Sequence, residues 1–413
     1  MTMHLLSLVF VCALVLPSVA FSTRGKAVRL MIRDPTSSRI EAHRSVGDVD
    51  VPTVQPIITD RRRLLIEASG IALSGWILGQ PLPVRAVEPL ASPRTIVVTG
   101  ANSGIGLEAC KRLADQGLRI VLACRTLQKA RDTAELLRDK PGQLIPAECD
   151  LADTRSMQAF ATDLPKLIGS QSKLDTVCLN AGLARNTAAK DVARTADGFE
   201  LTVGTNHFGH FYLNHLLLPM LQTDARIVVT ASGVHDPESP GGAQGTPATL
   251  GALQGLETDG RACTMIDGGS FNPDKAYKDS KLCNVLFTRE LQRRLLQNDN
   301  TKNVSANCFN PGLIVGTNFF RDQNPVFTKL FDFAATDLFK VGETPEWGGG
   351  CLAYMTSISS RGQYYTSDPG SSKYGDKAYG DKFTVSATSK EALDDIKAKR
   401  LWELSEKLLG ITV

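Results

Sequence analysis

The run RTIVVT-GANSGIG-LEACKRLADQ, residues 94–116, restricts this chain more than any other stretch. Five mostly β-branched residues lead into a turn carrying Gly100, Gly104 and Gly106, and a helical pattern follows with Ile105, Ala109 and Leu113 on one face. A continuously apolar strand is buried on both sides, which demands helices above and below it. The glycines let the backbone turn sharply beside a helix N-terminus, whose unpaired N–H groups suit the pyrophosphate of a dinucleotide. The TGxxxGxG spacing in a strand–turn–helix setting gives Gly100, Asn102, Ser103, Gly104, Ile105 and Gly106 as cofactor-binding candidates.

Further short apolar runs recur downstream: LRIVLAC (118–124), QLIPAEC (143–149), LDTVCLN (174–180), RIVVT (226–230) and VSANCF (304–309). Helical stretches separate most of them, so the expected fold is α/β, a Rossmann-like doubly wound parallel sheet with helices on both faces. Residues 232–277, rich in Gly and Pro, read as a long insertion before the next helix, and long excursions from compact domains are more often functional than accidental. Against 46 Lys plus Arg stand 43 Asp plus Glu, a formal charge of +3, so nucleic acid is not an expected partner. The nine cysteines are scattered without a CxxC pair or zinc spacing, so no metal is expected and the thiols read as core residues in a reducing compartment.

Residues 1–90 read as a targeting leader to be set apart from the fold, leaving 91–413 as the catalytic domain. Residues 4–20 have the length and small-residue ending of a signal peptide, and Ala20-Phe21 opens an Arg- and Ser-rich, acid-poor stretch like a transit peptide. This two-part address resembles that of algae with complex plastids. Arg61-Arg62-Arg63 before IALSGWILG and PLPVRA reads either as a twin-arginine signal or as a basic, apolar hairpin held at a membrane surface.

The second strand ends at Arg125, with Lys129 nearby, where an NAD enzyme would place an acid for the ribose 2′-hydroxyl. Cations there pair with a 2′-phosphate, which favours NADPH. Tyr277 and Lys281 form YxxxK, which on a helix puts phenol and ammonium one turn apart on one face. A phenol of pKa ~10 exchanges protons near neutrality only when a neighbouring cation stabilises the phenolate.

These motifs together resemble the short-chain dehydrogenases. That resemblance assigns Ser232 to hydrogen-bonding the reacting group, with Thr230 as a competing choice, and Asn206 to holding a water linked to Lys281. It gives Asp150 and Leu151 to the adenine, Asn180-Ala181-Gly182 to a turn behind the cofactor, and Pro311, Gly312 and Thr317 to the nicotinamide carboxamide. A narrower resemblance follows from MIDGGSF (265–271), KAYKDSKLCN (275–284), GFELTVGTNHFGHF (198–211) and LWELSEKLLG (401–410), which are similar to the protochlorophyllide reductases over about residues 93–413. That family reduces a tetrapyrrole with light absorbed by the substrate itself, hydride going to C17 and a proton to C18. It implies protochlorophyllide or a related tetrapyrrole as partner, a plastid location at the thylakoid, and a pocket partly walled by residues 232–277.

One departure stands out: the family's Pro-Gly-Cys is Pro311-Gly312-Leu313 here, and leucine can neither donate a proton nor ligate a metal. Cys283 reads as a core thiol. Residues 319–339 read as a helix packed on the core or as a lid or thylakoid-surface contact. A homo-oligomer is among the expected partners. Two competing readings remain: a dark NADPH-dependent carbonyl or alcohol reductase acting on a carotenoid, retinoid or lipid-derived substrate, and a non-catalytic NADPH-binding pigment carrier. The Tyr-Lys-Ser-Asn set speaks against the carrier.

Overall fold

The computed structural model describes residues 19–23, 28–32, 93–314 and 341–411. Within residues 1–90, two short strands, Val19–Thr23 and Val28–Ile32, pair with each other. The other segments expected to form a targeting leader, the 319–339 stretch and Thr317 lie outside the described residues.

The first half of the domain alternates strand and helix as its apolar runs require. Strand β1 (Thr95–Thr99) is followed by α1 (Gly104–Asp115), β2 (Arg119–Cys124), α2 (Leu127–Leu136), β3 (Gln143–Glu148), α3 (Thr154–Ile168) and β4 (Leu174–Leu179). Helix α4 runs through Leu201–Val203, a π-helical turn Gly204–Gly209 and His210–Leu217, and leads into β5 (Leu221–Thr230). The excursion that follows carries a short α-helix, α5 (Gln254–Thr258), and two 3-10 turns, Gly233–His235 and Gly260–Ala262, before the long α6 (Pro273–Gln297). Strand β6 (Ser305–Asn310) precedes a small parallel pair, β7 (Leu313–Ile314) with β8 (Gly342–Glu343). The chain closes with α7 (Pro345–Met355), β9 (Tyr364–Ser367), β10 (Phe383–Val385) and α8 (Asp395–Leu409).

The main sheet has the order β10-β9-β6-β5-β4-β1-β2-β3, parallel throughout except for the β9/β10 edge pair. Strand order reverses between β1 and β4, and in such sheets ligands bind in the crevice beyond the carboxyl ends at that reversal. Successive residues of β1 feed two different cores. Ile96 and Val98 join Ala109 and Leu113 of α1 and Trp347 and Met355 of α7, whereas Val97 joins Phe160 of α3, Phe211 of α4 and Leu282 of α6. Fully burying one side chain of this size stabilises by ~1.5–3 kcal/mol.

Helix α7 lies close on α1 because its Gly349 has no side chain: a Cβ there would sit 2.4 Å from that of Glu108. On the opposite face Trp402 of α8 meets Phe211 edge-on at 4.7 Å and stacks on Phe287 at 5.8 Å between ring centroids. Helix α8 is thereby part of the core under α6. All eight described cysteines, Cys283 among them, are buried and free. No helix among the described residues is long and apolar enough to cross a membrane.

Candidate active site

The glycine turn has the shape a pyrophosphate needs. Gly100 and Gly104 take φ of +66° and +51°, and a Cβ on Gly106 would lie 2.3 Å from the carbonyl oxygen of Gly100. Ser103 stands at the N-cap of α1 without turning its hydroxyl onto the helix, so the first-turn N–H groups are not capped by that side chain. An uncapped helix start of this kind is where phosphate oxygens would be received. Arg125 is exposed just past β2 and Lys129 half-buried one turn on; among the described residues no carboxylate pairs with either. Asp150 is half-buried and accepts a hydrogen bond from Ala152 N at 3.0 Å, while Leu151 is buried in the core.

Thr99, the last residue of β1, organises the next layer. Its hydroxyl accepts from the backbone N–H of Asn180 at 2.8 Å and of Ala181 at 3.0 Å. The Asn180 side chain donates to Thr99 O at 3.1 Å and accepts from the Thr230 hydroxyl at 3.2 Å. The turn Asn180-Ala181-Gly182 is thus bound to the ends of β1 and β5. Gly182 is exposed, and a Cβ on it would lie 3.4 Å from Asn206 Oδ1 and 3.6 Å from Lys281 Nζ.

Helix α6 starts where Asn272 caps it, accepting from Lys275 N at 3.0 Å, with Pro273 at the first helical position and Asp274 in the first turn. Tyr277 and Lys281 project from its next turns, the ammonium nitrogen 5.6 Å from the centre of the Tyr277 ring. The Tyr277 phenol hydrogen-bonds with Ser232, and Ser232 Oγ in turn accepts from Val234 N at 3.5 Å. Thr230, the other candidate hydroxyl, is turned onto Asn180 instead. Burial pushes the Tyr277 phenol up from its ordinary value, and the Ser232 bond pulls it part of the way back.

Lys281 is buried and donates to the carbonyl of Thr230 at 3.1 Å, an acceptor it shares with Asn284 Nδ2 at 3.2 Å. Among the described residues no carboxylate pairs with it, and burial lowers its pKa to about 8. Asn206, also buried, donates to Leu183 O at 2.9 Å and Ser280 Oγ at 3.0 Å and accepts from Leu183 N at 2.9 Å. It stands in the π turn of α4, a distortion found frequently at functional sites. Buried groups therefore flank the hydrogen-bonded pair Tyr277 and Ser232, two residues that are each only partly buried.

Pro311 is buried, and Gly312 takes φ of +91° with its Cα against the side chain of Glu343. Leu313 begins β7 and pairs with Gly342. Asp267 of the excursion reaches Lys275 at 3.0 Å, and Lys275 also holds Asp279 at 2.5 Å and Thr249 O at 2.7 Å. Lys278 binds Asp274 at 2.8 Å and the carbonyls of Gln244 and Thr246. Two lysines of α6 thus clamp the excursion beside Tyr277, a role that the sequence reading did not assign.

The excursion buries Leu250, Leu253, Leu256, Met265 and Ile266 beneath itself. The cavity it covers, about 10 Å³ between Phe199, Glu200 and Met265, suits one water and no larger ligand. A wider hollow of about 340 Å³ lies at the β3 edge between Arg131 and Pro146, away from Tyr277. No cluster of metal-ligating side chains occurs among the described residues.

Residues 94–245 match the short chain dehydrogenase family profile. Protochlorophyllide reductase B, chloroplastic, of Oryza sativa subsp. japonica is 35% identical over 328 residues, covering 77% of each chain. The chloroplastic protochlorophyllide reductase of Chlamydomonas reinhardtii is 33% identical over 342 residues, 81% of this chain and 82% of that one. A solved structure of an uncharacterised Mycobacterium Paratuberculosis protein superposes with a TM-score of 0.55 at 29% identity, covering 78% of this chain and 95% of that one. With the glycine turn, the Asn180 turn and the Tyr277–Lys281 pair set around one crevice, and with relatives matching over most of their length, this chain belongs to the protochlorophyllide reductase family of the short-chain dehydrogenases.

Proposed function

We propose that the protein is a light-dependent NADPH:protochlorophyllide oxidoreductase of the plastid, reducing the C17–C18 double bond of the tetrapyrrole to give chlorophyllide. The observation that carries the reading is the crevice at Gly182, where a part-open phenol, a buried ammonium and the glycine turn converge. NADPH, when bound, supplies the hydride. The uncapped end of α1 would hold its pyrophosphate, and Arg125 with Lys129 its 2′-phosphate.

Tyr277 is the proton donor for C18. A phenol raised by burial is a weak acid by itself; the Ser232 hydrogen bond lowers the cost of its phenolate, and the Lys281 ammonium stands 5.6 Å from the ring centre, where a cation favours the charged form. Lys281 suits this work because no carboxylate neutralises it. Asn206 and Ser280 hold the helix in register with the cofactor floor. The macrocycle would lie over exposed Gly182, beside the partly open Tyr277 and Ser232.

The plastid location is supported by the chloroplastic relatives and by the Arg- and Ser-rich leader. Thylakoid association rests on the Arg61-Arg62-Arg63 segment. Leu313 in place of cysteine favours a second reading, a dark reductase of the same fold. The test is to mix the protein with NADPH and protochlorophyllide and record the red absorption band before and after a light pulse. A shift to the chlorophyllide position after light alone supports the photoreductase. A shift in the dark, or none despite NADPH binding, moves the assignment to the dark reductase.

A further inference from the structure

His210 belongs to the TNHFGH stretch that supplied Asn206, yet nothing above gives it a task. It is buried, 1% exposed, between the two halves of the site. Its Nδ1 lies 3.1 Å from the carbonyl oxygen of Asn206, and its Nε2 lies 3.0 Å from the hydroxyl of Thr99. A carbonyl only accepts, so Nδ1 must carry the proton and Nε2 the lone pair. The Thr99 hydroxyl must then donate to Nε2, leaving its own lone pairs for the N–H groups of Asn180 and Ala181 at 2.8 and 3.0 Å. The alternative, in which Thr99 donates to Cys178 O at 3.1 Å, leaves a buried imidazole nitrogen unsatisfied, at a cost of ~1–3 kcal/mol. Burial and the Lys281 charge, working against the Asn206 bond, hold the imidazole neutral with a pKa of about 3, so one tautomer persists across the working pH range.

The surrounding backbone fixes this geometry. Gly204 and Gly209 bound the π turn, and a Cβ on either would lie 2.4 Å from Thr195 Cγ2 or 2.3 Å from Leu151 O. The turn cannot slide, so Asn206 and His210 keep their places.

We propose that His210 is a positioning residue that couples the cofactor floor to the catalytic helix: through Thr99 it orients the Asn180-Ala181-Gly182 turn, and through Asn206 and Ser280 it sets the turn of α6 between Tyr277 and Lys281. The second route is continuous, since Asn206 donates to Ser280 Oγ at 3.0 Å and that hydroxyl donates to Tyr277 O at 2.6 Å. The imidazole relays no proton, because its Nδ1–H ends on the Asn206 carbonyl oxygen, which cannot pass one on.

The coupling separates by substitution. Asn at this position keeps a donor where Nδ1 stood and loses the acceptor for Thr99. His210→Asn is expected to weaken NADPH binding about tenfold while holding kcat at saturating NADPH within about twofold. Gln keeps an acceptor reaching toward Thr99 and loses the Asn206 contact, so His210→Gln is expected to lower kcat about tenfold with NADPH affinity near that of the wild type. A histidine that only fills space would move both quantities together or neither, and that result overturns the proposal.

Should the variants not fold, the unaltered full chain still decides. Nitrogen-15 spectra at neutral pH are expected to show His210 protonated at Nδ1 and bare at Nε2, and the opposite tautomer rules the proposal out. The kcat arm rests on the protochlorophyllide reading. The tautomer and NADPH arms do not, so failure of that reading and failure of this proposal are told apart.

Discussion

Lys275 and Lys281 stand on the same helix, six residues apart, both buried to within a few per cent, and their surroundings could hardly differ more. Lys275 lies between two carboxylates, Asp279 at 2.5 Å and Asp267 at 3.0 Å, and its charge is spent holding the excursion against α6. Among the described residues Lys281 donates to a backbone carbonyl and pairs with no carboxylate, and burial lowers its pKa to about 8. A buried charge that is fully paired locks structure; one left without a carboxylate is costly and stays available for chemistry. The clamp also shows its own strain. Burial pushes Asp279 up to about 7, whereas for Asp267, nearer to solvent, burial is outweighed by the Lys275 hydrogen bond and charge together with backbone N–H donors, and the carboxyl lies below the usual range.

The largest expected effect lies on the chemical side of that comparison. Tyr277→Phe should lower turnover ~10²–10⁴-fold, the range for loss of a general acid, with NADPH binding and melting temperature close to the wild type. A turnover assay beside a binding titration checks it, and substantial residual activity would shift the proton donor elsewhere.

Lys275→Met should act on the other side. Removing the cation leaves Asp267 and Asp279 facing each other in a buried site, and a loss of ~3–5 kcal/mol in unfolding free energy is expected by denaturant titration. The added change Asp279→Leu should recover much of that loss, and molecules that remain folded should still turn over.

Lys281→Met reverses the pattern, gaining stability while losing activity. The buried amine titrates near 8 in the fold and near 10.5 when unfolded, so between those values the unfolded chain binds more protons and stability rises with pH. The penalty is complete below pH 8. Removing the amine should therefore stabilise the protein at pH 7 by up to about 3 kcal/mol, less about 1 for the lost Thr230 bond. The gain should fade as pH approaches 10.5, and thermal unfolding across that range checks it.

Arg125→Ala carries the smallest effect. NADPH affinity should fall about tenfold and NADH affinity change little if, as proposed, the guanidinium serves the 2′-phosphate, which NADH lacks.

The sequence discloses the sheet through its apolar runs because a strand buried on both faces has little choice of residue, and strands β1 to β6 fall where those runs predict. Tyr364–Ser367 and Phe383–Val385 escaped that reading: they are short, carry hydroxyl-bearing residues, and the second runs antiparallel at the sheet edge, where burial imposes no pattern. In the site, the glycine turn and the YxxxK spacing are local and so legible. Which lysine of KAYKDSK is paired is not, since Asp267 reaches Lys275 from outside the helix. His210 had a signal in its place four residues after Asn206, one helical turn on, but its partner Thr99 lies 111 residues away and only the fold brings them together.

The contrast between the two lysines is tested most directly by one light pulse. Complexes of wild type, Lys275→Met and Lys281→Met with NADPH and protochlorophyllide are formed in the dark, illuminated once, and followed by the red absorption band. The expected result is a shift to the chlorophyllide position in the wild type and in folded Lys275→Met, with none in Lys281→Met. A full shift in Lys281→Met would contradict the assignment of the unpaired amine to chemistry.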